Sequence, residues 1–125
     1  IAQRAALTAI TSDLGPTHEM AKQYLSRRDM VNELLKGLPG IEANLPDGAF
    51  YFFPDVSSYF GKSNGEHTIK DANDFCLMIL EKAHVSLVSG AAFGNPDCVR
   101  LSYAASEENL KEAISRISKV LANYK

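Results

Sequence analysis

The sequence predicts an α+β domain: a small, mostly antiparallel sheet with helices packed on one face, preceded by a long helix. Three observations carry this reading. Apolar residues recur at three- and four-residue steps near both ends of the chain, as amphipathic helices require. In between, the period drops to two in short stretches such as "AFYFF" (49–53) and "CVRLSYA" (98–104), each bounded by turn-forming residues. A further helical stretch from Asp71 to about Ala83 separates the strands, so the order reads α-α-β-β-α-β-β-α.

Residues 2–11 read as a short helix, closed by the Gly15-Pro16 breaker. Pro16 suits the first turn of a long helix that runs to about Leu38, with Glu19 near its positive end. Met20, Tyr24, Val31, Leu34, Leu35 and Leu38 form its apolar stripe, which leaves Arg27 and Arg28 on the solvent side. "GLPG" (37–40) stops it. A short strand, an Asp47-Gly48 turn and a strand over 49–53 follow, with Gly48 expected to supply a positive φ angle. In that second strand Phe50 and Phe52 point one way and Ala49, Tyr51 and Phe53 the other, so both faces expect cover. A polar loop spans 57–70, and Asp71 caps the next helix, whose "FCLMIL" run implies deep packing. "VSLV" (85–88) and 98–104 are strands around the loop "SGAAFGNPD". Ser106 caps the last helix, with Glu107 and Glu108 in its first turn and Leu110, Ala113, Ile114, Ile117, Val120 and Leu121 as its core stripe.

The 125 residues suit one domain, and 46% hydrophobic content is enough for one core. Net charge is -2 with no clustered basic face, which excludes a nucleic-acid footprint. No apolar run reaches the ~20 residues of a membrane span. Cys76 and Cys98 each sit in an apolar run without ligand spacing, so they read as buried thiols of a soluble, cytoplasmic protein and not as a disulfide or metal pair. The opening "IAQRAALTAI" has no Met and begins in helical rhythm, as a piece of a longer chain would.

Most candidate chemistry reduces to simpler roles. "GKS" (61–63) lacks the earlier glycine of a phosphate-binding loop, because position 56 is Val, and a solvated loop is expected. His18, His67 and His84 have no carboxylate or cysteine at metal-ligand spacing, so no metal site and no catalytic histidine is assigned. Arg100 is different. Alternation sends Val99, Leu101 and Tyr103 toward the helices and Cys98, Arg100, Ser102 and Ala104 to the opposite face. A guanidinium cannot shed its charge, and its planar fork matches a carboxylate bidentately. Two partners satisfy that requirement: an Asp or Glu of this chain, or the carboxylate of a ligand.

Two stretches, "LPDGAFYFFPDV" and "VSLVSGAAFGNPDCVRLSYAASEENLKEAISRI", closely resemble the C-terminal small domain of class I aminotransferases of the aspartate aminotransferase group. The patterns are P-x-G-A-F-Y-x-F-P, then G-x-x-F-G followed by an arginine strand ending S-Y-A, and "IAQRAAL" is similar to the segment after the family's active-site lysine. The resemblance spans the whole chain, about the last third of such an enzyme, and divides it into 1–15, the end of a large-domain connecting helix, and 16–125, the small domain. It implies a fold-type I enzyme dependent on pyridoxal phosphate, active as a homodimer on amino-acid and 2-oxo-acid substrates. It also implies that Arg100 binds the substrate α-carboxylate.

Two departures accompany it. Ser89-Gly90 stands where the family usually has Pro-Gly, and none of the lysines lies in the context of the cofactor-binding lysine. No catalytic and no cofactor-binding residue is therefore expected within the chain, which alone should be inactive. The competing reading is a stand-alone, non-catalytic amino-acid- or carboxylate-binding module. Other fold-type I enzymes, such as C–S lyases and aminocyclopropanecarboxylate synthase-like proteins, share this small domain. The first helix and the aromatic strand are expected to form an exposed patch that promotes self-association.

Overall fold

A computed structural model describes all residues from Ile1 to Lys125. Four helices, α1 (Ala2–Thr11), α2 (Gly15–Lys36), α3 (Ala72–Ala83) and α4 (Glu107–Leu121), accompany three strands, β1 (Tyr51–Phe52), β2 (Val88–Ser89) and β3 (Val99–Ser102). The sheet is antiparallel with order β1-β3-β2, so the arginine-bearing strand is central. This is the α+β class expected, with one strand fewer. Residues 41–45 contribute only the single bridge Glu42–Asp55, and "VSLV" enters the sheet at its last residue, Val88.

Helix ends follow local chemistry. The Asp71 side chain accepts from the Asp74 amide, and the Ser106 hydroxyl accepts from the Asn109 amide, each satisfying an N-terminal donor. His84 ends α3 in the left-handed region at φ 55°. Pro16 lies in the first turn of α2, where its missing N–H costs nothing.

The core gathers Val31, Leu35 and Leu38 from the α2 end, Phe75, Met78 and Ile79 from α3, and Leu110, Ile114, Ile117 and Leu121 from α4. These close over Phe52, Val99, Leu101 and Tyr103 on one face of the sheet. Both cysteines are buried and unpaired, and burial pushes the Cys76 thiol up to about 11.

Several expectations need correction. The stripe of α2 is apolar only at its C-terminal half: Met20 is exposed, while Arg28 is half-buried and donates to the Pro46 carbonyl. The α3 run is amphipathic after all, since Leu77 and Leu80 point outward. In the 46–50 turn, Gly48 has no positive φ; Ala49 does, at 61°. That left-handed residue turns the chain, so pairing starts only at Tyr51, and Phe50 is exposed while Phe52 is fully buried. Cys98 stands outside the helix-side core, as alternation implies, yet it is buried and not open: it bridges Asp55 and is covered by the 90–95 turn, whose Gly90 amide donates to its carbonyl. α1 buries none of its residues; Leu7 and Ile10 are exposed, as are Phe53 and Phe93 on the sheet side. No helix is long and apolar enough to cross a membrane.

Candidate functional site

Arg100 sits in the middle of the central strand. Its neighbours Val99 and Leu101 are buried beneath the helices, and Arg100 itself is half-buried on the other face. Antiparallel pairing sets Val88 of β2 opposite it, and Tyr51 of β1 opposite Ser102, two residues along. Tyr51 is thus a diagonal neighbour of Arg100 on the same face, within reach of a long side chain.

The alternative of an internal ion pair is not realised. The chain's ion pairs join other residues, and the Arg100 guanidinium donates to no protein acceptor. Its guanidinium carbon lies instead 4.5 Å from the centroid of Tyr51 and 4.4 Å from that of Phe93. Phe93 ends a 3-10 turn, Gly90–Phe93, that follows β2 directly. This turn is tightly determined: the Ser89 hydroxyl accepts from the Ala91 amide, Gly90 donates to the Cys98 carbonyl at 2.7 Å, and Gly94 closes it at φ 88°. A guanidinium with free donors has the charge and planar fork geometry that match a carboxylate bidentately. Arg100 lines none of the concave pockets, so it serves an open surface.

A second polar cluster escaped the sequence reading. His67 Nε2 lies 3.2 Å from Asp74 Oδ1, and the Tyr124 hydroxyl lies 3.3 Å from His67 Nδ1. The second Asp74 oxygen accepts from the Lys70 amide. Partial burial raises the Asp74 carboxyl pKa, but the Lys70 amide and His67 together outweigh it and leave the group below its ordinary value. His67 does not stand alone, then. Its partners are 7 and 57 residues away, and no local spacing announces the second. The C-terminal backbone joins the same loop, with Ser63 and Lys125 exchanging two hydrogen bonds.

The chain has eight lysines. All eight are exposed except Lys62, which is half-buried over the Tyr59 ring. No cluster of His, Cys, Asp and Glu could hold a metal ion.

The fold is an α+β domain that carries an arginine with no protein anion against it on the sheet face away from the helices. The family profile "Aminotransferase class I and II" matches residues 1–117, and the chain belongs to that family. An aspartate aminotransferase of Pinus pinaster is 41% identical over 125 residues, covering 97% of this chain and 25% of the relative. A probable aspartate/prephenate aminotransferase of Aquifex aeolicus is 43% identical over 122 residues, covering 96% of this chain and 29% of the relative. The crystal structure of the aspartate aminotransferase from Rhizobium meliloti superposes with a TM-score of 0.92 at 36% identity, over 98% of this chain and 31% of that one. The chain thus spans between a quarter and a third of these relatives.

Proposed function

We propose that this chain is part of a pyridoxal-phosphate-dependent aminotransferase that moves an amino group between an amino acid and a 2-oxo acid, and that Arg100 binds the substrate α-carboxylate. The observation that carries the proposal is the Arg100 guanidinium, set on a central strand with no protein anion against it. The names of the relatives supply the reaction class. Residues 16–125 form the small domain in this reading, and residues 1–15 lead in from a larger one.

Pyridoxal phosphate, when bound, supplies the chemistry of amino-group transfer. In this reading its contacts are assigned to other parts of the protein, because none of the eight lysines lies in the context of the family's cofactor-binding lysine. What the chain contributes is orientation. A carboxylate gripped bidentately by Arg100 can neither rotate nor slide, and this fixes the direction of the bonds at the substrate Cα relative to whatever faces the sheet. Buried Val99 and Leu101 anchor the strand on either side of Arg100. A homodimer completes the proposal, because the exposed Phe93 beside Arg100 and the exposed Phe53 that meets it suit cover by further protein, and a cytoplasmic location is part of the same reading.

The test is Arg100→Lys in the full-length enzyme. A point charge replaces a fork, so KM for amino and oxo acids is expected to rise by about tenfold, with cofactor content unchanged. Unaltered KM and kcat/KM would remove Arg100 from the site.

A further inference from the structure

The two rings beside Arg100 do more than fill space: we infer that Tyr51 and Phe93 are positioning residues that clamp its guanidinium and give the site its preference for a planar carboxylate over a tetrahedral oxyanion. This rests on the reading of Arg100 as the carboxylate binder and adds the residues that shape it. The rings come from opposite neighbours of the central strand. Tyr51 belongs to β1, and Phe93 closes the turn directly after β2. Both centroids lie within 4.5 Å of the guanidinium carbon, within the range of an attractive cation–π contact.

Each ring is itself supported. Phe50 lies against Tyr51 with centroids 4.4 Å apart, and Phe53 meets Phe93 edge-on at 6.3 Å. The set forms an aromatic row with one cation in it. Neither clamp residue belongs to the buried core, and Phe93 is 48% exposed, so packing alone does not account for an aromatic there. Its position is fixed by the backbone of the 90–94 turn instead.

The consequence is a restriction on shape. Rings stacked on the two faces of the guanidinium, as the clamp requires, leave the plane of the fork as the open approach. A carboxylate is flat and enters there with both oxygens on N–H donors. A phosphonate or sulfonate carries a third oxygen out of that plane, which meets a ring face. Tyr51 needs only its ring for this, and its hydroxyl makes no hydrogen bond within the chain.

The experiment uses the full-length enzyme and compares Tyr51→Leu, Phe93→Leu, Tyr51→Phe and Arg100→Met. The probes are L-aspartate and its analogue in which a phosphonate replaces the α-carboxylate. Each leucine variant is expected to raise KM for L-aspartate about fivefold, leave kcat within about twofold, and narrow the carboxylate-over-phosphonate preference by about the same factor. Tyr51→Phe should behave as the unaltered enzyme. A crystal structure of Phe93→Leu should show the guanidinium displaced or in several positions, whatever substrate the enzyme prefers. Leucine variants with unchanged KM and preference, an undisplaced guanidinium, or a loss in Tyr51→Phe equal to that in Tyr51→Leu would overturn the clamp. Arg100→Met separates the two levels: if it leaves carboxylate binding intact, the underlying reading fails, whereas a loss there beside silent ring variants removes only the clamp.

Discussion

The Tyr103 hydroxyl donates to the carbonyl oxygen of Ala49 at 2.8 Å, joining two residues 54 positions apart. Ala49 is in the left-handed region at φ 61°, a conformation that costs a residue with a Cβ about 1–2 kcal/mol. The bond holds that turn against the end of β3. The turn in turn sets where β1 begins and therefore which aromatic ring stands beside Arg100.

Two substitutions separate strain from support. Tyr103→Phe deletes the donor and should destabilise the protein by about 1 kcal/mol in denaturant unfolding. Ala49→Gly removes the Cβ penalty and should be neutral or stabilising by up to about 1 kcal/mol, the reverse of the usual alanine-to-glycine loss. A clear destabilisation by Ala49→Gly would mean that the left-handed turn is not present in solution.

Gly90 admits no side chain. A Cβ built there would lie 2.5 Å from the Cys98 carbonyl oxygen, in the backbone that feeds the arginine strand. Gly90→Ala is expected to cost about 1–3 kcal/mol and to displace the turn that carries Phe93. It should therefore raise substrate KM as well as lower the unfolding midpoint. A variant as stable as the parent would show that the turn gives way more easily than its hydrogen bonds suggest.

Asp74 gives the fold a definite acid response. Its carboxyl is lowered in the folded chain, so the stability it adds is present above roughly pH 4 and lost as pH falls through the lowered folded value. Asp74→Asn should cost about 1 kcal/mol at pH 7, and the difference from the parent should shrink toward zero below that window. Stability measured from pH 7 down to pH 2 checks this, and a gap that stays constant with pH would assign the loss to packing.

Much of this was legible in the residues because the physics was local. The Asp71 and Ser106 caps, the stripe of α4 and the inward Val99 and Leu101 follow from neighbours a few positions apart. Arg100's outward face follows from the same alternation, whereas its proposed role came from the family resemblance, since the residues alone left an internal ion pair open. What the sequence hid depends on long-range contacts. Ala49 reads as a strand residue in the sequence, whereas the fold makes it a left-handed turn whose carbonyl accepts from Tyr103. Phe93 reads in the sequence only as part of the "SGAAFGNPD" loop and its G-x-x-F-G pattern, because its relation to Arg100 exists only once the 90–94 turn folds beside β3. The His67–Asp74–Tyr124 cluster needs the C-terminus to return to the 61–69 loop, and no spacing encodes that.

The most direct test measures the coupling between Arg100 and the α-carboxylate itself. In the full-length enzyme, kcat/KM is determined for L-aspartate and for its α-carboxamide, in the unaltered protein and in Arg100→Met. A charge-assisted, bidentate contact implies that the preference for carboxylate over carboxamide falls by about tenfold to a hundredfold when Arg100 is lost. A preference unchanged by Arg100→Met would contradict the account, because the guanidinium would then be reading no carboxylate at all.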